Sequence, residues 1–169
     1  TLVVDEDEVV EHELVSGIAY SRDEAKIILV KVADRPGVAA RIFGPLADAS
    51  VNVDMIVQNV SDDGKATDLT FTVTRSDLER AVDIIKQNKD DLGYQDLASD
   101  SDVVKVSVIG VGMRSHAGVA QRMFKSLADE GINIQVISTS EIKVSVLIAE
   151  EFTERAVRAL HTVYGLDAE

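Results

Sequence analysis

Two short segments of the chain place a glycine between the end of a predicted strand and the start of a predicted helix. They read DRPGVAARIF from Asp34 to Phe43 and SHAGVAQRMF from Ser115 to Phe124. Such a corner presents backbone N–H groups at the positive end of a helix dipole, which suits a small carboxylate. Gly37 and Gly118 allow close approach of a ligand, and Asp34 can pair with a ligand ammonium. The two groups together indicate an amino acid, and a plain tight turn is the alternative for either corner.

Other polar groupings in the chain match known chemistry less well. No glycine is followed five residues on by Gly-Lys-Ser or Gly-Lys-Thr, so the P-loop pattern is absent. Gly110 and Gly112 begin a dinucleotide-type pattern, but the third glycine is Gly118 instead of position 115, which argues against nicotinamide or flavin binding. The hydroxyl-rich run Ser138–Glu141 is interpreted as a strand-end turn or a ligand-contact segment rather than a nucleophile. His116 is either a polar turn residue or a ligand contact.

The composition restricts the partners of the chain. The 169 residues carry 30 acidic and 17 basic side chains, for a net charge of −13, which argues against binding to nucleic acid or anionic membranes. There is no cysteine, and the three histidines are far apart, so no metal site is predicted. No apolar run reaches the roughly 20 residues of a membrane span. We expect a cytoplasmic protein and, because the chain starts at Thr1, a fragment or processed product.

Periodicity predicts the elements that position the two corners. Alternating and β-branched runs indicate strands, and apolar residues at helical spacing indicate helices. Pro36 is expected in the first turn of a helix, and Pro45 should kink the same helix. Ser76 and Thr153 are expected to cap later helices. The predicted strands are 14–21, 26–33, 51–60, 67–74, 94–97, 105–111, 133–139 and 142–149, and the predicted helices begin near 38, 76, 119 and 153.

The chain contains an internal duplication. When residues 34–56 are compared with the residues 81 positions later, ten of 23 pairs are identical, including both glycines of the corners. Each copy has the order βαββαβ of a ferredoxin-like α+β fold, with antiparallel sheets and helices on one face. The second copy ends before its last strand, and the strand 14–21 has no place in the first. We therefore expect the first copy to be inserted into the second.

The expected domains follow from this arrangement. Residues 1–13 form an acidic and partly disordered lead-in, residues 22–98 form the first copy, and residues 14–21 with 101–169 form the second. Several segments resemble the regulatory part of an aspartokinase, which contains two ACT domains. The segments are LVSGIAYSRDEAKI, VADRPGVAARIF, VNVDMIVQNVS, TDLTFTV, KVSVIGVGMRSHAGVAQRMFKSLADEGINIQVISTSEIKVSVLI and RALHTVY.

This resemblance implies a regulatory function. An aspartokinase phosphorylates the aspartate β-carboxylate with ATP, and its ACT region binds end-product amino acids and inhibits the kinase. The family implies a homodimer through the ACT domains, which assembles with the full-length catalytic subunit. ATP and Mg²⁺ would bind the kinase domain, which is absent from this chain, and no cofactor is expected here. Threonine is the implied effector of the first corner, and lysine is the implied effector of the second.

The resemblance also implies two effector sites, each closed by a strand of a partner subunit. The first would use Asp34, Pro36, Gly37, Val38, Ala39 and Gln58, with Asn133, Ile134 and Gln135 of the partner subunit. The second would use Met113, Arg114, Ser115, His116, Gly118, Val119, Ser138, Thr139 and Ser140, with Asn52, Val53 and Asp54 of the partner subunit.

Two other functions are compatible with the sequence. One is an amino-acid-sensing ACT protein that serves a different biosynthetic enzyme. The other is a small stand-alone transferase on a ferredoxin-like scaffold, although the chain lacks a convincing acid–base constellation for it. The ISTSEI stretch favours an aspartokinase over the first of these two functions.

Overall fold

Two four-stranded sheets organise the chain. The computed structural model describes residues 15–33, 35–61, 63–110 and 116–166. The chain divides into two units at residues 22/23 and 103/104. We call residues 23–103 the inserted unit, and the residues on either side of it the host unit.

The inserted unit has the order βαββαβ, with a short extra helix before its last strand. Its antiparallel sheet has the strand order β3-β4-β2-β5, so the first and third strands of the unit lie at the centre. Its elements are β2 (Ala25–Ala33), α1 (Val38–Asp48), β3 (Val53–Val60), β4 (Ala66–Val73), α2 (Leu78–Gln87), α3 (Lys89–Leu92) and β5 (Asp96–Asp100).

The host unit has the same strand arrangement, except that one edge strand comes from the N-terminal segment of the chain. Its strand order is β1-β6-β8-β7, in which the N-terminal strand takes the place that β5 has in the inserted unit. This strand pairs antiparallel with β6, from Val15 opposite Gly110 to Ser21 opposite Lys105. The predicted insertion of one ferredoxin-like copy into the other is confirmed. The host elements are β1 (Val15–Ser21), β6 (Val103–Gly110), α4 (His116–Asp129), β7 (Val136–Thr139), β8 (Lys143–Ala149) and α5 (Thr153–Val163).

Each unit buries one face of its sheet under its own helices. In the inserted unit, Phe71 of the central strand β4 is fully buried and packs edge-on against Phe43 of α1, with ring centroids 5.2 Å apart. Ile42 and Ile85 bring the two longer helices into the same cluster. In the host unit, Val106 and Val146 of the sheet pack in one cluster with side chains of both helices. The helix layers therefore lie on the face that carries the β-branched and aliphatic residues, as the alternation predicts.

The alternation predicted for β2 is interrupted at Lys31. Leu29 lies opposite Leu69, but Val32 lies opposite Thr67, so β2 has one residue more than β4 over this stretch and forms a bulge. Lys31 has a positive φ of 55°, and its N–H donates to Asp68 Oδ1 at 2.9 Å. Strict alternation along 26–33 would place Lys31 on the face of Ile27 and Leu29, but the bulge puts Val32 in the core instead.

Both predicted helix caps are wrong for the same physical reason. A short 3₁₀ turn, Arg75–Asp77 or Glu150–Phe152, precedes each helix. Ser76 lies within the first turn, and the N-cap of α2 is Asp77. Thr153 is the first residue of α5, and its hydroxyl donates to the carbonyl of Glu150 at 2.6 Å. Neither α2 nor α5 has a side-chain cap hydrogen bond.

Several boundaries also differ from the predictions. The fourth strand of the inserted unit covers Asp96–Asp100 instead of 94–97, and Tyr94 is buried just before it. Strand β7 has only four residues instead of the predicted seven. Helix α1 begins after Pro36 rather than including it, and it continues through Pro45 to Asp48.

Arg75 connects the two ends of the inserted unit. Its backbone N–H donates to Asp23 Oδ1 at 3.2 Å, and its guanidinium donates to the carbonyl oxygens of Glu24 and Val103 at 3.5 and 3.3 Å. The chain enters this unit at Asp23 and leaves it at Val103. One side chain therefore contacts both crossing points of the insertion.

Within the described ranges, no helix combines the length and the apolar composition needed to cross a bilayer.

Candidate functional site

The first corner is built by the turn between β2 and α1. Gly37 is the N-cap of α1 with a left-handed φ of 89°, and the Val38 N–H donates to the Arg35 carbonyl at 3.2 Å to close the turn. No side chain caps α1, because glycine has none to offer. Pro36, Gly37 and Ala39 are exposed, while Val38 anchors the corner in the core. The exposed first turn of α1 can accept a small carboxylate.

Strand β3 extends along the edge of the same sheet. Gln58 lies opposite Leu69 of β4, which itself lies opposite Leu29 of β2. Gln58 is therefore an exposed side chain two strands away from the one that leads into the corner. Met55 has a positive φ of 44°, and the register shifts between Asp54 and Val57, so β3 carries a bulge of its own.

The second corner differs from the first in its local backbone. Helix α4 begins at His116, so Gly118 lies in its first turn, whereas the equivalent Gly37 precedes α1. Val119 is buried, and its carbonyl accepts a hydrogen bond from the Tyr164 hydroxyl, which ties the start of α4 to the end of α5. The expectation that both glycines stand at the turn itself is wrong for Gly118.

The second corner lies beside the turn between β7 and β8. The Gly110 N–H at the end of β6 donates to the Ile142 carbonyl at 2.7 Å, and the Ser140 N–H donates to the Lys143 carbonyl at 2.8 Å. Ser138 and Thr139 lie opposite Ser145 and Val144 of β8. The structure therefore brings the hydroxyl-rich segment to the strand that leads into the second corner. The 81-residue shift makes Thr139 the equivalent of Gln58.

The remaining predicted site residues belong to other loops and strands or fall outside the described ranges. Asn52 precedes β3, and Val53 and Asp54 begin it. Asn133, Ile134 and Gln135 connect α4 to β7, and the Gln135 N–H donates to the Leu147 carbonyl at 2.8 Å. Both segments are those that the family resemblance assigns to a partner subunit. The predictions for Asp34, Met113, Arg114 and Ser115 lie outside the described residues.

No role was predicted from the sequence for the apolar edge strand of each sheet. Ile56 of β3 is 53% exposed and Ile137 of β7 is 45% exposed, and both strands lie at the edge of their sheets. These two residues are identical under the 81-residue shift, so the duplication contained the signal. Val60 and Ile142 add exposed apolar surface near the same edges. An open edge with apolar side chains is typical of an association surface.

The turn between β3 and β4 contains an aspartate with a lowered pKa. The Ser61 hydroxyl donates to Asp63 Oδ1 at 2.6 Å, the Lys65 N–H donates to it at 2.9 Å, and these bonds hold the pKa of Asp63 below its ordinary value of 3.8.

This lowered pKa predicts the direction of an acid effect. Because the folded-state pKa is below the unfolded one, Asp63 stabilises the turn above the unfolded pKa, and that contribution is lost as the pH falls through the folded value. NMR titration of the Asp63 carboxyl should give a midpoint below 3.8, and Ser61→Ala should raise it. A midpoint that is unchanged in Ser61→Ala would contradict the assignment of the hydrogen bond.

Comparison with known proteins identifies the family. Residues 26–90 and residues 106–164 each match a family described as ACT domain. A solved structure of aspartokinase alpha and beta subunits includes a chain that is 49% identical, with a TM-score of 0.84, and the match covers 89% of this chain and 99% of that one. The chain belongs to the aspartokinase family.

Further aspartokinases show which part of the enzyme this is. The regulatory subunit of aspartate kinase from Thermus thermophilus, in a ligand-free form, is 36% identical with a TM-score of 0.83, and the match covers 89% of this chain and 98% of that one. The aspartokinase of Pseudomonas aeruginosa is 57% identical over 97% of this chain. The match covers 40% of that protein, so this chain spans about two fifths of its length. The chain is therefore the tandem-ACT regulatory region of an aspartokinase.

Replacing Gly37 tests how the first corner works. Gly37→Ala should destabilise the chain by about 1 kcal/mol, because an L side chain is strained at a left-handed φ. The matched control is Gly93→Ala, at a φ of 65° and likewise with no atom within 4 Å of the added Cβ. Both variants should lose similar stability in urea unfolding, and only Gly37→Ala should also weaken binding of an effector amino acid in calorimetry. Equal affinity for that amino acid in the two variants would argue against ligand contact at this corner.

Proposed function

We propose that this chain binds threonine, with lysine as a second effector, and mediates feedback inhibition of aspartate kinase at the first step of aspartate-family amino-acid synthesis. The observation that supports it most is the duplicated corner: in both units a strand leads into a glycine-containing helix start, and an open edge strand exposes an isoleucine at the same repeat position. An uncapped helix start suits the effector carboxylate, and an apolar edge suits a second subunit.

In this proposal the chain forms a homodimer through its ACT domains. The first effector site comprises Asp34 and the exposed corner residues with Gln58, completed by the segment around Asn133 of the partner subunit. The second comprises the corner at His116 with Ser138–Ser140, completed by the segment around Asn52 of the partner subunit. Asp34 would pair with the effector ammonium.

Inhibition then follows from linkage between effector binding and assembly. An effector that contacts residues of two subunits binds one arrangement of the dimer better than another, and it shifts the equilibrium by no more than that difference in affinity. Threonine and lysine stabilising the same arrangement would inhibit together more strongly than either alone. The catalytic partner is the full-length aspartate kinase subunit in the cytoplasm, whose kinase domain would bind ATP and Mg²⁺.

The test is titration calorimetry of the chain with threonine, with lysine and with both, combined with sedimentation. Threonine binding and a shift toward dimer are expected, with tighter lysine binding once threonine is present. No heat with either amino acid would overturn the proposal. Leucine serves as the control ligand, because it shares the ammonium and carboxylate groups but has neither the hydroxyl nor the second amine.

A further inference from the structure

A groove between the two long helices of the host unit is lined by four of the 17 basic side chains of this acidic chain. Its volume is about 500 Å³, and it lies between α4 and α5. Three arginines and one lysine line it together with two hydroxyl side chains and two acidic residues, Asp129 and Glu130, so its lining has a formal charge of +2 where the whole chain has −13. The basic and hydroxyl side chains are Arg122, Lys125, Ser126, Arg155, Arg158 and Thr162.

Hydrogen bonds at both ends show how the two helices face each other. Arg155 Nη1 donates to the Glu130 carbonyl at 3.2 Å, which joins the start of α5 to the end of α4. The Tyr164 hydroxyl donates to the Val119 carbonyl, which joins the end of α5 to the start of α4. The helices are therefore antiparallel, and Arg122 of α4 lies toward the same end of the groove as Thr162 of α5.

Charge is distributed unevenly along this groove. Lys125 forms an ion pair with Asp129 at 3.2 Å, and Arg155 is held at the same end by Glu130. Toward the other end the lining charges are Arg122 and Arg158. In the part of the chain that the structure describes, the Arg158 guanidinium has no ion-pair partner. Lys125 is thus neutralised by Asp129, whereas Arg155 contacts an uncharged backbone carbonyl and keeps its charge.

The duplication supplies an internal comparison. Residues 79–82 and residues 154–157 both read ERAV, 75 positions apart, so Arg158 corresponds to Asp83 and Ala159 to Ile84. Under the 81-residue shift, Lys125 corresponds to Gly44. In the inserted unit the equivalent helix pair therefore has an acidic residue in place of Arg158, a glycine in place of Lys125 and a bulkier side chain in place of Ala159. Lys125 and Arg158 are therefore cations of the host unit alone, whereas Arg122 and Arg155 have the counterparts Arg41 and Arg80.

We propose that the α4–α5 groove binds a small phosphate-bearing molecule. Its volume is in the range of small-molecule sites, which is about 300–1,000 Å³. Three arginines and one lysine favour phosphate, because a guanidinium can donate two parallel hydrogen bonds to it, and the Ser126 hydroxyl adds a further polar group. The ion-paired end suits an uncharged or amine-bearing part of the ligand. The groove shares no residue with either proposed effector site, so the proposal is independent of them.

Thermal unfolding of the intact chain in sodium phosphate, compared with sodium chloride at equal ionic strength, tests the proposal. Inorganic phosphate and adenosine monophosphate are the phosphate probes, and a short polyglutamate peptide is the acidic-polymer probe. Bound ligand raises the melting temperature with increasing concentration, because it binds only the folded state. The variant Arg122→Gln/Arg158→Gln removes the two arginines that line the groove away from the Lys125–Asp129 ion pair. The control is Arg80→Gln, which changes the arginine equivalent to Arg155 in the inserted unit.

We expect phosphate to stabilise the wild-type chain and Arg80→Gln equally. The double variant should bind roughly tenfold or more weakly, because each charge-assisted hydrogen bond contributes substantially. Amide NMR shifts of Ser126 and Thr162 on phosphate addition would support the location. Equal stabilisation of the double variant would overturn the proposal, since phosphate stabilises proteins generally by exclusion from their surface. Binding of polyglutamate without binding of either phosphate probe would also overturn it, and would indicate an acidic protein partner instead.

Discussion

Replacing Phe71 with alanine is expected to lower the free energy of unfolding of the inserted unit by about 3–5 kcal/mol. Phe71 is fully buried on the central strand β4, and its ring meets that of Phe43 edge-on at an interplanar angle of 80°. Truncation removes the buried apolar surface and this ring contact, and it leaves a cavity between the sheet and α1. Urea unfolding monitored by circular dichroism measures the loss, and hydrogen exchange locates it in the strands around β4.

The control for this prediction is the other ring of the pair. Phe43→Ala removes the same ring contact from a side chain that is only half-buried, so its cost should be clearly smaller. Equal losses in the two variants would mean that the ring contact, and not the burial of Phe71, dominates. The same comparison checks the cooperativity of the units: exchange in β6 should be less affected by Phe71→Ala than exchange in β4.

The second large effect concerns self-association, and it depends on the proposed homodimer. The double variant Ile56→Asp/Ile137→Asp should weaken the dimer roughly hundredfold or more, because each change removes an apolar contact and forces a carboxylate into the interface. Both residues are on open edge strands and about half exposed in the single chain. Stability of the monomer should change little, since neither side chain is in a core. Sedimentation equilibrium gives the dissociation constant.

Tyr20→Asp is the matched control for the edge variant. Tyr20 is 52% exposed on β1, which is the opposite edge of the host sheet. If association uses the β3 and β7 edges, this variant should remain as dimeric as the wild-type chain. A dimer that persists in the double variant, or one lost in Tyr20→Asp, would locate the association surface elsewhere and would remove the support for effector sites completed by a partner subunit.

Long-range organisation was predictable because the duplication constrains it. The matches between Gly37 and Gly118 and between Phe43 and Phe124 define the two copies, and the strand predicted at 14–21 has no place in the first copy. The pairing of β1 with β6 follows from that unplaced strand, since a sheet of this kind needs its fourth strand. The order of elements in a repeated unit therefore predicts topology better than the propensity of any single segment does, because two independent segments must form the same topology.

Local backbone detail was harder to predict, because it depends on single residues. The bulge at Lys31 gives a long, charged side chain a positive φ, which its type does not favour. The second copy held a clue, because the residue 81 positions later is Gly112, the type that adopts positive φ most readily. The predicted caps at Ser76 and Thr153 were wrong because a hydroxyl residue before a helical pattern can be either an N-cap or part of a 3₁₀ turn that precedes the helix.

The candidate site was predictable in part. The exposed, uncapped start of α1 follows from the glycine at position 37, because a strand-to-helix turn often needs a left-handed residue there. The exposed isoleucines at 56 and 137 were visible as a repeat match, but exposure depends on which strand is at the edge, and sequence alone leaves that open. The α4–α5 groove likewise requires the pairing of two helices that are distant in sequence.

The contact of Arg75 with both crossing points has a consequence for protein engineering. Lys26 lies opposite Asp100, so the first and last strands of the inserted unit run side by side, and Arg75 reaches the carbonyls of Glu24 and Val103 just beyond them. A unit whose two ends lie close together in this way can be transferred to another protein as a single insertion. Residues 23–103 could be excised, circularly permuted through a short linker, or grafted into another sheet protein at a tight turn.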